Sequence, residues 1–297
     1  MVPKLICVGE CMVELAEVGD GTYRRGFAGD TFNAAWYARQ ALPGDWAVEY
    51  ASCIGVDAVS DQMAAFMAGE GVGTDALRRV EGRTVGLYMI STEGGERSFA
   101  YWRGQAAAKL LADDPDWLRG VLGQGAHVHF SGITLAILAP DARARFLDVL
   151  RDVRGQGVGV SFDTNVRPRL WEDAEVTRAA MMAAAGVSDL VLPSFDEEEA
   201  LFGDADSAAT VARYASAGAG SVVVKNGAAP MLGWDGGETV EVPVVPVARV
   251  VDTTAAGDSF AGAFLGARLT GAGLRDAMER AAAVSARVIG APGALVR

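Results

Sequence analysis

Short, nearly continuous apolar runs recur along the second half of the chain, and the stretches between them carry apolar residues at helical spacing. Residues 5–8, 127–130, 158–162, 190–192 and 221–225 read as strands covered on both faces. Between them, 141–156 places Ala142, Phe146, Val149, Leu150 and Val153 along one helical face, 177–185 is rich in Ala and Met, and 208–217 leads into the next strand. Alternating β and α units of this kind predict an α/β protein with a mostly parallel central sheet flanked by helices. Ligands are then expected outside the carboxyl ends of the strands.

A second texture occupies about 10–30 and 83–103. Residues 12–15 precede Gly19-Asp20-Gly21, and 85–90 precede Glu93-Gly94-Gly95-Glu96, after which 97–101 alternates again. The Glu-Gly-Gly-Glu tetrapeptide between alternating segments is a hairpin signal. These pieces are expected to form a small β lid inserted into one domain spanning 1–297. The other reading is an edge extension of the main sheet.

The 297 residues, 51% of them hydrophobic, can bury a large core. The formal net charge of −12, with no basic run to offset it, argues against nucleic acid or an anionic membrane as partner and favours a small molecule. An anionic substrate would need arginines placed for it. Cys7, Cys11 and Cys53 make an odd number without an evident secretory leader, so a disulfide framework is not expected and the compartment reads as cytoplasmic. His127 and His129 alternate within one strand and are read as strand histidines rather than metal ligands. No apolar stretch reaches the roughly 18 residues of a membrane span.

Candidate chemistry concentrates at Asp252-Thr253-Thr254-Ala255-Ala256-Gly257-Asp258-Ser259-Phe260. Ala255, Ala256 and Gly257 would let a polyanion approach backbone N–H groups, while Phe260, Ala263 and Phe264 suggest a helix starting near Asp258. Asp258 has two readings. It is a base for a nucleophilic hydroxyl beside a phosphate, or simply the cap of that helix. Gly29, Asp30 and Asn33 sit at a loop-to-helix junction where Asp30 and Asn33 can face one pocket. Residues 163–171 and Lys225-Asn226-Gly227 each follow a strand directly, where a site is expected.

In this order the segments resemble the ribokinase-like (PfkB) carbohydrate kinases over essentially the whole chain. The 252–260 stretch is similar to that family's C-terminal signature, and Gly29-Asp30 with Asn33 to its N-terminal element. Further markers are Gly9 through Leu15, Arg25 through Thr31, Gly86-Leu87-Tyr88, Tyr101-Trp102-Arg103, Ser131 through Leu138 and Asn165 through Trp171. They look most like the branch acting on 2-keto-3-deoxygluconate. The resemblance implies a ribokinase-like fold and transfer of phosphate from ATP, with Mg²⁺, to the C6 hydroxyl of that sugar acid. Asp258 would be the base and Ala255, Ala256 and Gly257 the anion hole. Gly29, Asp30, Asn33, Tyr88 and Tyr101 would contact the sugar, and Arg103 and Arg167 its carboxylate. Arg169 is expected in a surface ion pair instead.

On the nucleotide side the resemblance implies Asn165, Ser194, Lys225, Gly227, Ala256, Gly257 and Gly293, the last in a small-residue loop flanking adenine. Two departures stand out. Ala255 replaces a more usual glycine, and the family's Asn-x-x-Glu element is met by either Ser194 with Glu197 or Asp196 with Glu199. The first keeps the distance to Gly203, so Glu197 is expected to reach Mg²⁺ through water. A monovalent cation near Asp252 and a homo-oligomer paired through the lid are further expectations. The alternatives are a fructokinase-like or other neutral-sugar kinase, and a sugar or nucleotide sensor without catalysis.

Overall fold

The computed structural model describes residues 2–93 and 96–297. In chain order its strands are β1 (Lys4–Val8), β2 (Met12–Gly19), β3 (Thr22–Ala28), β4 (Ala47–Ile54), β5 (Leu77–Arg79), β6 (Gly86–Glu93), β7 (Glu96–Trp102), β8 (His127–Ser131), β9 (Gly159–Asp163), β10 (Leu190–Val191), β11 (Ser221–Val224), β12 (Met231–Trp234) and β13 (Thr239–Val242). Nine of them form one sheet in the order β13-β12-β11-β10-β9-β8-β1-β4-β5. The pairings from β5 through β11 are parallel, and β12 and β13 add antiparallel at one edge.

The chain leaves β1 toward β4 and β5 on one side and later builds outward from β8 on the other. The order therefore reverses between β1 and β8, where the carboxyl ends of an open α/β sheet part to leave a crevice. Alternation along the strands explains why both faces are covered. In β1, Ile6 and Val8 join a core with Phe130, Phe162 and the helix Pro140–Gly155, whereas Leu5 and Cys7 join another with Tyr50 and the helices Asp30–Ala41 and Ala256–Leu269. His127 and His129 both lie buried on β8, where burial lowers each imidazole to about 4 and keeps it neutral. The three cysteines are free and buried.

β4 carries no prior expectation, yet it lies between β1 and the edge strand β5. Glu49 interrupts its apolar run; the structure tolerates this buried carboxylate by pairing it with Lys4 across the register at 3.2 Å. The helix expected near Asp258 begins two residues earlier, at Ala256.

The 10–30 and 83–103 segments form a second, four-stranded sheet in the order β3-β2-β6-β7. β6 and β7 pair antiparallel out to Glu93 and Glu96, so the expected hairpin is present, while its turn glycines Gly94 and Gly95 lie outside the described residues. β2 and β6 run parallel, joining the two hairpins into one surface. Among the described residues no helix is long and apolar enough to cross a membrane.

The helices Asp30–Ala41 and Ala256–Leu269 cross with almost no separating side chain. A Cβ on Gly262 would collide with the carbonyl oxygen of Ala34 and lie 2.8 Å from Tyr37 Cβ, and one on Gly266 would lie 2.5 Å from Ala41 Cβ. Gly262→Val is expected to destabilise the protein by about 1–3 kcal/mol, the usual cost of overpacking a fixed contact. Chemical denaturation reads this directly, and an unchanged midpoint would show that the crossing can open without cost.

Candidate active site

Carboxyl ends of successive parallel strands deliver one polar group after another to a single cavity of about 1100 Å³. Glu10 follows β1, Asp163 ends β9 with Asn165 and Arg167 just beyond, Ser194 and Glu197 follow β10, and Lys225 follows β11. The helix N-termini at Asp30 and Ala256 close one side, and Tyr88, Phe99, Tyr101 and Arg103 from the small sheet close the other. Gly29, Asn33, Thr253 to Asp258 and Arg169 also line the cavity.

Asp258 occupies the first turn of its helix and is not the cap. That position is Ala255, held left-handed at φ 60° and ψ 17°. The Asp258 carboxylate instead receives the Asn33 amide, Nδ2 to Oδ2 at 2.8 Å, from the neighbouring helix. Burial, reinforced by the nearby Asp30 charge, pushes its carboxyl up to about 7. Asp30, also raised by burial, is held by the Ser131 hydroxyl and by Asn165 Nδ2 at 3.0 Å. Two carboxylates thus share one wall, each held by neutral donors.

The first-turn N–H groups of Gly257 and Asp258 have no intrahelical acceptors. Lys225 lies beside them; a Cβ on Gly257 would sit 3.3 Å from its Nζ. Small side chains, orphan N–H groups and an ammonium together form a cradle suited to phosphate. Lys225 is paired with both oxygens of Asp163 at 3.0 Å.

Arg103 is ion-paired with Glu10, whose carboxylate is 2% exposed and raised by burial despite that arginine. The Arg103 guanidinium also sits 6.0 Å from the Tyr101 ring centroid. Tyr101 stacks on Tyr88, and the Tyr88 hydroxyl donates to Glu14, so toward a ligand Tyr88 can only accept. Arg167 binds Glu197 Oε1 at 2.7 Å, while Glu197 Oε2 accepts the Val166 N–H at 2.9 Å. Burial raises the Glu197 carboxyl even so.

Several expectations change. Gly29 lines the cavity, but a Cβ there would strike the Glu10 carbonyl, so close packing on 10–11 accounts for its lack of a side chain. Gly227 and Gly293 lie outside the cavity lining; Gly293 instead donates its N–H to Asp252 at 2.8 Å. Arg169, expected in a surface ion pair, lines the cavity and has no ion pair among the described residues. Glu10, Asp163 and Ser131 carry no individual assignment from sequence. Their signal was present, since each polar residue stands at the carboxyl end of an apolar strand.

Among the described residues no group of three or more His, Cys, Asp or Glu side chains could hold a metal. The fit for Mg²⁺ is therefore through water and phosphate, with Glu197 retaining lone pairs that a coordinated water could reach.

A left-handed alanine costs about 1 kcal/mol relative to an unstrained position. Ala255→Gly should raise the denaturation midpoint by relieving it, and a lowered midpoint would mean that the methyl's packing against the small-sheet cluster around Met12 and Tyr88 outweighs the strain.

Residues 2–296 match the description pfkB family carbohydrate kinase. The chain is 41% identical over 303 residues to the 2-dehydro-3-deoxygluconokinase of Escherichia coli strain K12, covering all of this chain and 98% of that protein. The protein of the same name from Dickeya dadantii is also 41% identical, over 99% of this chain and 96% of its own. Among solved structures, the PfkB protein from Polaromonas sp. JS666 superposes with a TM-score of 0.85 at 29% identity, covering 98% of this chain and 96% of that one. With the two sheets, the phosphate cradle and the buried aspartate already in place, these matches over nearly the full length show that the chain belongs to the pfkB family of carbohydrate kinases.

Proposed function

We propose that this carbohydrate kinase transfers the γ-phosphoryl group of ATP to the C6 hydroxyl of 2-keto-3-deoxygluconate, giving the 6-phosphate. The observation that carries the reading is Asp258: a carboxylate raised to about 7, fixed by Asn33 through Oδ2, in the first turn of the helix that forms the phosphate cradle. Its Oδ1 accepts the hydroxyl proton as that oxygen attacks the γ-phosphorus. The bond from phosphorus to the ADP oxygen breaks, and its electron pair leaves with ADP. The N–H groups of the first turn and Lys225 hold the charge that develops on the transferred group.

When bound with ATP, Mg²⁺ supplies neutralisation of phosphate charge, with Glu197 as the side chain in reach through water. Asp30 and Asn33 would bind sugar hydroxyls, and Tyr101 offers a hydroxyl with no partner among the described residues. Arg103 and Arg167 would present their remaining N–H donors to the carboxylate, since a guanidinium carries five and each uses only part of them on its glutamate. Asn165, held on Asp30, would stand between sugar and phosphates, and Ser194 near the phosphates. The names and full-length coverage of the relatives favour the acid over a neutral hexose.

The same reading places the enzyme in the cytoplasm as a homo-oligomer. Trp102 and Val18, both 58% exposed on the small sheet, support pairing between lids. A monovalent cation beside Asp252 would have to share that carboxylate with the N–H groups of Thr254 and Gly293.

A coupled assay with ATP and Mg²⁺ should show turnover of 2-keto-3-deoxygluconate far above that of gluconate, fructose or ribose. Preference for a neutral sugar would refute the assignment. Asp258→Asn should lower kcat by about 10²–10⁴, the range for loss of a general base, while ATP still binds. The base must be ionised, so kcat should fall as pH drops through about 7. Asp30→Asn removes a like charge that raises this group, so the acid limb should move to lower pH; an unmoved limb would show that burial alone sets it.

A further inference from the structure

Cations that line the cavity are, with one exception, already neutralised. Arg103 is paired with Glu10, Arg167 with Glu197 at 2.7 Å and Lys225 with Asp163 at 3.0 Å. Asp30 and Asp258 add two carboxylates whose hydrogen-bond donors are neutral: Ser131 and Asn165 for the first, Asn33 for the second. Away from the backbone N–H cradle at the start of the helix Ala256–Leu269, these paired side chains project little net attraction for an anion, and Asp30 and Asp258, where ionised, repel one at short range. Pre-paired guanidiniums can still orient a carboxylate through spare donors, but the field they project is cancelled by their glutamates.

Arg169 is the exception. It lines the same cavity and has neither a hydrogen bond nor an ion pair among the described residues. Its backbone is nevertheless held from both sides. The short 3-10 turn Pro168–Leu170 is closed by the Leu170 N–H on the Arg167 carbonyl at 2.9 Å. Upstream, Glu197 grips Val166 and Arg167; downstream, Trp171 is buried under the Arg143 guanidinium at 4.5 Å, with Arg143 in turn paired to Glu172. A rigid turn thus carries a long, uncommitted cation at the cavity wall. An exposed arginine of no consequence would be expected on a mobile loop or beside one of the chain's many acids, which outnumber its Lys and Arg by 38 to 26.

We propose that Arg169 supplies the uncompensated positive charge that captures the substrate carboxylate, with Arg103 and Arg167 acting as pre-paired groups that orient it. This rests on the sugar-acid reading above. It divides recognition into two parts. Attraction comes from Arg169, and geometry comes from the two arginines held by Glu10 and Glu197.

The experiment is steady-state kinetics of wild type, Arg169→Gln and Arg169→Lys, varying 2-keto-3-deoxygluconate and then ATP at low and high salt. Loss of one charge-assisted contact should raise KM for the sugar acid by about tenfold or more in Arg169→Gln. Arg169→Lys should recover most of this, and the rise of wild-type KM with salt should flatten in the glutamine variant as the long-range attraction disappears. KM for ATP and kcat at saturation should stay within about twofold, since the contact is the same in ground and transition states. A KM for the acid unchanged in Arg169→Gln overturns the proposal, as does an equal rise in KM for ATP, which would assign the arginine to phosphate. Matching thermal midpoints of the exposed-site variants separate these effects from misfolding. Wild-type turnover of the sugar acid with an unaffected Arg169→Gln sinks this inference alone, whereas absence of wild-type turnover sinks the substrate reading and the inference with it.

Discussion

The crossing of the helices Asp30–Ala41 and Ala256–Leu269 sets the geometry of everything that follows. Gly262 and Gly266 let the two backbones touch through Ala34, Tyr37 and Ala41, with no side chain able to intervene. Because the helices approach so closely, their N-termini also come together. Asn33 reaches Asp258 across 225 residues of sequence, and Asp30 faces the same space. The perturbed carboxyl of Asp258 is a consequence of this packing: a group forced into a low-dielectric wall beside a like charge holds its proton longer.

Around that pair the parallel sheet arranges charge in a repeated way. Strand after strand ends in an acid or a base, and another strand end or loop supplies the partner: Asp163 with Lys225, Glu197 with Arg167, Glu10 with Arg103. All three pairs line the one cavity at the carboxyl ends of the strands. Two of the three, Glu10 with Arg103 and Asp163 with Lys225, are largely buried, and such pairs are weak evidence for stability because desolvation offsets most of their attraction. Their effect here is positional, holding forks and ammonium in fixed directions before any ligand arrives.

The small sheet contributes through one face. Register pairs Glu14 with Tyr88 and Tyr88 with Tyr101, so these side chains project on the same side, while Val13 and Phe27 on the opposite side enter the core shared with the helix crossing. Met12, Ala28, Tyr88 and Ile90 pack with Ala294 and against Ala255, which joins the sheet to the turn that caps the helix Ala256–Leu269. A glycine would satisfy the left-handed backbone at 255, but it would remove the methyl from this contact.

Much of the fold was legible in the chain itself. β1, β9 and β11 announced themselves as mostly apolar runs because strands covered on both faces bury both sets of side chains, β8 did so despite its two buried histidines, and the helix Pro140–Gly155 because one face of a covering helix must be apolar. The small-residue run before Asp258 pointed to phosphate for a local reason, the orphan N–H groups of a helix start. β4 was not legible, since Glu49 hides it until Lys4 is beside it. Nor could the chain alone place the helix cap at Ala255 rather than Asp258, explain Gly29, or bring Arg169 to the cavity wall instead of a surface ion pair. Those answers depend on which carboxylate stands next to which cation, and distances between residues far apart in sequence exist only once the helices cross and the strands align.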